Sequence, residues 1–118
     1  MSNEKIYSMK FSKVYPLLIA KAERKGRTRA EVDEAASWLT GYTAAEIEAL
    51  LQGDSDYGSF FTDAPSLNPD RFLVKGSVCG VKVELIEESP MREIRILDKL
   101  VDEIAKGKPM EEILRKEK

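Results

Sequence analysis

Residues 28–51 read TRAEVDEAASWLTGYTAAEIEALL and predict two helices joined by a tight turn. Each helix begins with a Thr-x-x-Glu capping box, in which each side chain bonds the other residue's backbone N–H. The two boxes are Thr28 with Glu31 and Thr43 with Glu46. Because the linker Gly41-Tyr42 is so short, the helices must pack as neighbours.

Apolar residues recur on one face of each of these helices. In the first helix, the i, i+3, i+4, i+7 spacing typical of a helix buried on one side is formed by Val32, Ala35, Ala36 and Leu39. In the second helix, the apolar stripe is Ile47, Leu50 and Leu51. Gly41 and Gly53 are expected to end the helices, since glycine takes the left-handed conformation easily. Trp38 and Tyr42 are expected to form the nucleus of the core or the lining of a groove.

Three further helices follow from the same signals. Pro16 suits the first turn of a helix, whose stripe is Tyr15, Leu18, Ile19 and Ala22 and whose end is Gly26. Ser89 is predicted to cap a long helix that Pro90 starts, with a broad stripe of Met91, Ile94, Leu97, Leu100, Val101, Ile104 and Ala105. Pro109 is predicted to start a last short helix, with the side chains of Met110, Ile113 and Leu114 facing the core.

The stretch between residues 54 and 88 is less regular. Asp54 or Ser55 is expected to cap a short helix that buries Phe60 and Phe61. Asn68 is expected to cap another helix, with Pro69 at its first position. Residues 71–88 fit either short helices and turns or a hairpin with Gly76-Ser77 at its turn, because Val81, Val83 and Leu85 alternate with charged residues.

The predicted fold is therefore mainly α: a compact orthogonal bundle of five or six short helices, with one short β-hairpin around 71–84 as the alternative. The 118 residues suit one domain. We expect a flexible N-terminal arm over 1–10, a single helical domain over 11–114 and a frayed, charged tail over 115–118.

Composition points to a soluble cytoplasmic protein. The net charge is −2, a single cysteine precludes an intramolecular disulfide, and no apolar run reaches the roughly 20 residues of a membrane span. The first residues lack the apolar core of a signal peptide. Residues 1–30 are basic, whereas residues 31–70 contain no Lys or Arg, so the basic part either neutralises the acidic part or meets an anionic partner.

No catalytic motif stands out. The chain has no histidine, which removes triad catalysis and His-based metal sites. Cys79 and Glu84 are the reactive groups that remain, and Cys79 is more typical of a small buried apolar residue. Asp54 and Asp56 fail the EF-hand spacing, and no glycine run matches a phosphate-binding loop. We predict no cofactor, no metal and, on balance, no enzyme.

Nucleic acid is disfavoured as a partner. Residues 28–52 have the outline of a helix-turn-helix, but the recognition helix would carry Glu46 and Glu48 and no cation, and these charges repel phosphates. The weaker candidate for contact with an anion is the basic end of the first long helix, formed by Lys21, Arg24 and Lys25.

The best candidate pocket is an aromatic cluster with polar neighbours. Apolar concave sites with a few polar groups are where small ligands bind. The predicted ligand-binding residues are Trp38, Tyr42, Tyr57, Asn68 and Arg71. The alternative is that these aromatic rings, with Phe60 and Phe61, are simply the core.

Several stretches resemble the small uncharacterised bacterial family called domain of unknown function 2200. They occur in the family's order from about Ile6 to Arg115 and comprise KVYP (13–16), IAKAE (19–23), KGRT (25–28), WLTGY (38–42), FF (60–61), AP (64–65), LNP (67–69), CGV (79–81) and LDKLVDE (97–103). The resemblance implies a bacterial cytoplasmic protein with a mainly helical domain. It implies no activity and gives no residue a role.

Two functions follow as hypotheses. The first is a non-catalytic binding or protein-interaction domain, with a homodimer through residues 89–106 in which Ile96, at the outer edge of the wide stripe, faces the partner. The alternative is a small-molecule enzyme or ligand binder at the aromatic cluster, with Asn68 and Arg71 as polar anchors.

Overall fold

Seven α-helices follow one another in the part of the chain that the computed structural model describes, which is residues 4–78, 80–87 and 90–115. Their bounds are α1 (Glu4–Tyr7), α2 (Phe11–Glu23), α3 (Arg29–Thr40), α4 (Ala44–Leu51), α5 (Tyr57–Thr62), α6 (Met91–Ala105) and α7 (Met110–Ile113). The mainly helical fold class is confirmed. Between α5 and α6 lie two 3₁₀ helices, Pro69–Leu73 and Val83–Leu85, and two short strands, β1 (Ser77–Val78) and β2 (Val81–Lys82).

Helix α6 lies at the centre of the fold. It packs against α2, α3, α5, α7, β1 and the second 3₁₀ helix. All of the predicted stripe except Ala105 is buried. The helix begins at Met91 with Pro90 as its N-cap; the predicted cap Ser89 lies outside the described residues. An amphipathic helix surrounded in this way is the scaffold on which the other elements are placed.

The paired helices predicted over residues 28–51 are confirmed as α3 and α4. Both capping boxes form, with each threonine accepting from the glutamate N–H and each glutamate accepting from the threonine N–H. Gly41 ends α3 with φ +85°. Helix α4 ends at Leu51, and Gly53 does not take the left-handed conformation that the sequence predicts. Trp38 and Tyr42 are half-buried and pack against the core.

Helix α2 begins earlier than predicted. Pro16 is inside the helix rather than in its first turn, because the chain becomes helical at Phe11. The Phe11 ring is fully buried and stacks on Tyr15 and Phe60 at centroid distances of 4.9 and 4.3 Å. The Phe11 backbone N–H donates to the Ser55 carbonyl at 2.9 Å. Burial of this ring fixes the start of the helix and outweighs the preference of proline for the first turn.

The short helix α5 buries Phe60 and Phe61, as predicted. Its N-cap is Asp56, not Asp54 or Ser55, and the Asp56 side chain makes no capping hydrogen bond. Residues 1–10, predicted as an arm, contain α1, and the Tyr57 N–H donates to the Met9 carbonyl at 2.7 Å.

Both interpretations of residues 71–88 are partly right. The strands pair antiparallel, with Ser77 opposite Lys82 and Val78 opposite Val81, and 3₁₀ helices lie on either side. Gly76 and Ser77 do not form the predicted turn, because Ser77 is already in β1 and the partner strand β2 begins at Val81. The Gly76 carbonyl accepts from Val83 and its N–H donates to the Glu84 carboxylate, which places Gly76 before the strands.

Helix α7 starts after Pro109 and buries Ile113, as predicted. Of the predicted charged tail only Arg115 is described. Its guanidinium donates to the buried Glu103 carboxylate at 2.7 Å. This ion pair joins the end of the chain to α6.

Ile96 does not lie at an outer edge. It is 2% exposed within the protomer, so the prediction that it faces a partner is wrong. The wide apolar stripe of α6 is accounted for by helices and strands of the same chain.

Candidate functional site

The predicted aromatic pocket is filled by its own rings. Tyr42 stacks on Phe60 with centroids 4.8 Å apart, and its hydroxyl donates to the Phe60 carbonyl at 3.0 Å. Tyr57 is 2% exposed and meets Phe61 edge-on at 5.1 Å. These contacts are those of aromatic rings packed in a core.

The Tyr57 hydroxyl is nevertheless unusual. It is buried, and none of the described residues hydrogen-bonds to it. Burial raises the pKa of this hydroxyl well above its ordinary value, so it stays protonated at neutral pH and does not act as a base.

The predicted polar anchors hold the backbone in place. The Asn68 side-chain amide donates to the Trp38 carbonyl at 3.1 Å, and its oxygen accepts from the Asp70 N–H at 2.8 Å. The Arg71 guanidinium donates to the Asn68 carbonyl at 2.8 Å. The structure thus brings Trp38, Asn68 and Arg71 together, but their polar groups fix the first 3₁₀ helix beside α3.

One of the predicted residues, Arg71, does line a hollow. This hollow, which we call the Phe72 groove, has a volume of about 330 Å³ and lies between the two 3₁₀ helices and the first half of α6. Its floor consists of the buried side chains of Val74, Val83 and Ile96. Phe72, on its wall, is 50% exposed.

Two arginines flank Phe72. The guanidinium carbons of Arg71 and Arg92 lie 4.4 and 4.9 Å from the centre of its ring. Both Nε atoms lie 3.2 Å from the same oxygen of Glu93, which is fully buried. A buried carboxylate therefore positions two cations beside one exposed ring, an arrangement that cation–π attraction also favours.

Charged side chains of both signs complete the rim of the groove, among them Lys75, Glu84 and Glu87. Glu84 is one of the two reactive groups predicted from the sequence. The N–H of Gly76 donates to its carboxylate and lowers the pKa of Glu84, so this group is ionised at neutral pH and is unsuited to act as a general acid. Cys79, the other reactive group, lies outside the described residues.

Neither a metal site nor a membrane span is found in residues 4–78, 80–87 and 90–115. No three His, Cys, Asp or Glu side chains there are grouped to hold an ion. No helix in these ranges is long and apolar enough to cross a membrane.

Phe72, Arg92 and Glu93 were not predicted from the sequence as residues of a functional site. A signal was present for Glu93, because Leu97 and Leu100 follow it at i+4 and i+7 and so place it on the apolar face of α6. A carboxylate on such a face indicates a buried ion pair. No comparable signal marks Phe72, since its exposure depends on where the irregular segment 69–87 runs.

Comparison with known proteins agrees with this fold. The chain is 49% identical to the protein in a structure described as the crystal structure of uncharacterized protein SP1917, with a TM-score of 0.91 over 97% of this chain and 93% of that one. The comparison with curated proteins gives no match. A family model described as an uncharacterized protein conserved in bacteria matches residues 5–115. The chain therefore belongs to this bacterial family, domain of unknown function 2200.

Proposed function

We propose that the protein is a non-catalytic interaction domain that binds another protein at the Phe72 groove. The observation that carries the proposal is the half-exposed Phe72 ring between the Arg71 and Arg92 guanidinium groups. Aromatic residues and arginine are enriched in protein interfaces and supply most hot spots. A ring held in place by ion-paired arginines loses little conformational entropy when a partner covers it.

Exposed apolar side chains are concentrated in the segment of the chain that carries Phe72. Among the described residues, five large apolar side chains are exposed, and three of them, Phe72, Leu73 and Leu85, lie within residues 72–85. Leu85 is 71% exposed. Leu73 and Leu85 do not line the groove itself, but their exposure adds apolar surface to the same segment of the chain.

The non-catalytic part of the proposal rests on the reactive groups. The sequence has no histidine, Glu84 is ionised, and the buried tyrosines stay protonated. The proposal keeps the protein in the cytoplasm, where a single cysteine remains reduced.

A homodimer through residues 89–106 has less support than the sequence suggested. The large apolar residues of α6 are already buried in the protomer, so the described part of this stretch leaves a partner mainly charged side chains. The Phe72 groove is a further surface through which a homodimer could form, and the mass of the protein in solution distinguishes a second copy from a different partner.

Ligand binding at the aromatic cluster is the remaining alternative. It predicts that Asn68→Ala and Arg71→Ala abolish stabilisation by a bound small molecule. Tyr42, Tyr57 and Phe60 are in contact with neighbouring rings in the core, which gives this alternative less support.

Affinity purification from bacterial cells tests the proposal. The wild type is compared with a groove variant, Phe72→Ser, and with a control, Leu17→Ser. Leu17 is 64% exposed on α2 and does not line the groove. The wild type and the control are expected to retain the same partner, and the groove variant to bind it at least about tenfold more weakly.

Because the Phe72 and Leu17 side chains are exposed, we expect both variants to fold as the wild type does. The unfolding midpoint of each variant is measured first to check this. The proposal is wrong if the groove variant retains the partner as well as the wild type does, or if the wild type retains none.

A further inference from the structure

A second concave surface lies where the C-terminal ends of α2 and α6 meet. We call it the basic cleft. Its volume is about 570 Å³, and it is lined from α2 and the residues after it by Lys21, Arg24 and Lys25, and from α6 and its cap by Asp102, Ala105 and Lys106. It is separate from the Phe72 groove, with which it shares no residue.

One carboxylate, that of Asp102, forms ion pairs with two of the four cations in the cleft. Asp102 lies 3.4 Å from the Lys21 Nζ and 3.0 Å from the Lys106 Nζ. Burial acts to raise the pKa of Asp102, but hydrogen bonds and positive charge from these two lysines outweigh it and lower the pKa. Asp102 is therefore ionised, and it fixes Lys21 and Lys106 on opposite sides of the cleft.

The other two cations are Arg24 and Lys25. Within residues 4–78, 80–87 and 90–115, no hydrogen bond or ion pair is made by the Arg24 or Lys25 side chain, and both residues are exposed. The cleft thus holds four positive charges and one negative charge. Each helix C-terminus carries about half a negative charge, so the two helix ends offset about one of the three excess charges and leave about two.

We infer that the basic cleft binds a small anion that carries several phosphate groups. A guanidinium donates two parallel hydrogen bonds to a phosphate, and lysine adds a mobile point charge. Two uncompensated cations, held near two ordered ones, match an anion of two or more negative charges. The volume of the cleft is that of a typical small-ligand site.

A long polyanion fits the molecule less well. The net charge of the chain is −2, and residues 31–70 contain acidic residues and no Lys or Arg. A duplex lies across a wide surface and needs many cations along it, whereas here the excess positive charge is confined to one concave site.

Isothermal titration with inorganic tripolyphosphate tests the inference. We expect saturable binding by the wild type and at least about tenfold weaker binding by the Arg24→Gln/Lys25→Gln variant. The matched control is Lys13→Gln/Lys82→Gln, which removes the same charge from exposed positions outside the cleft. Its affinity should lie within about twofold of the wild type.

The same titration is repeated with a 20-base-pair DNA duplex. The inference is overturned if tripolyphosphate does not bind, if both double variants weaken its binding equally, or if the duplex binds more tightly than tripolyphosphate through Arg24 and Lys25. The last result would identify the polymer, not a small phosphorylated molecule, as the ligand.

Discussion

Two buried tyrosine hydroxyls differ in their partners. The Tyr15 hydroxyl donates to the Asp33 carboxylate at 2.6 Å, and burial together with this hydrogen bond raises the pKa of Tyr15. The Tyr57 hydroxyl has no partner among the described residues. Leaving a buried polar group unpaired costs about 1–3 kcal/mol, and a hydrogen bond to a charged group contributes a similar amount.

Phenylalanine substitutions should therefore act in opposite directions. Tyr15→Phe is expected to lower the free energy of unfolding by about 2 kcal/mol, and Tyr57→Phe to leave it unchanged or raise it by about 1 kcal/mol. Urea unfolding monitored by circular dichroism measures both. Equal losses in the two variants would contradict this account.

Arg27 joins the start of α3 to the end of α6. Its guanidinium donates to the carbonyls of Ile104 and Lys108 at 2.8 and 2.9 Å and pairs with Glu31. The Arg27 hydrogen bond lowers the pKa of Glu31 from 4.5 to about 2, with a further contribution from the Thr28 N–H. Because the folded state favours the ionised carboxylate, the stability it contributes is complete above pH 4.5 and is lost as the pH falls toward 2.

The variant Glu31→Gln should reveal this pH dependence. At pH 7 we expect it to be less stable than the wild type by about 1 kcal/mol, since solvent screens a partly exposed pair. The difference should shrink as the pH is lowered from 5 to 2, as measured by urea unfolding at each pH. Glu34→Gln, at an exposed position of the same helix, serves as the control and should follow the wild type. A difference that stays constant with pH would refute the linkage.

The α3–α4 turn depends on a glycine for two separate reasons. Gly41 has φ +85°, and a Cβ there would lie 2.9 Å from the Ser66 Cβ and 3.0 Å from the Ser66 backbone nitrogen and oxygen. Gly107, after α6, has a similar φ of +91° but nothing within 4 Å of its Cβ position. Comparing alanine substitutions at Gly41 and Gly107 therefore separates the free-energy cost of the left-handed conformation from that of the close contact with Ser66.

Alanine at these two glycines should differ in effect. Gly107→Ala is expected to cost about 1–2 kcal/mol from the left-handed conformation alone. Gly41→Ala should cost about 1–3 kcal/mol more, because the Ser66 backbone must move. Thermal and urea unfolding of both variants measure the difference. Equal costs would show that the contact with Ser66 does not constrain the turn.

Some elements follow from local sequence and others do not. The capping boxes of α3 and α4 were predicted because each is a contact between residues three apart. The start of α2 was missed because it depends on Phe11 stacking on Phe60, far along the chain. The hairpin turn was wrongly predicted at Gly76-Ser77 for a similar reason. The hydrogen bonds of Gly76 with Val83 and Glu84 place it before the strands, and the alternation of valines in the sequence does not reveal these bonds.

At the scale of the whole molecule, α6 is the helix around which the core forms. The variant Ile96→Ala tests this core. Since Ile96 is 2% exposed, its truncation should lower the free energy of unfolding by about 2–5 kcal/mol. The mass of the folded protein in native mass spectrometry should stay the same. A change of oligomeric state without loss of stability would restore the hypothesis of a homodimer through residues 89–106.

The candidate surfaces were only partly predictable. Lys21, Arg24 and Lys25 were singled out because they are clustered in sequence, but their convergence with Lys106 depends on the packing of α2 on α6. The aromatic pocket was a reasonable prediction that the packing of Tyr42, Tyr57 and Phe60 does not support. Arg71 alone among the predicted ligand-binding residues lines the Phe72 groove, since the other four are held within the core or along the backbone of α3.

Photo-crosslinking in bacterial cells tests the central claim most directly. A photoreactive phenylalanine analogue is placed at position 72 in one protein and at position 17 in another, so that both probes are exposed but only the first lies in the groove. If the Phe72 groove binds a partner protein, we expect a discrete crosslinked protein adduct from position 72 and none from position 17. No adduct at position 72, or the same adduct from both positions, would contradict the claim that the Phe72 groove is an interaction surface.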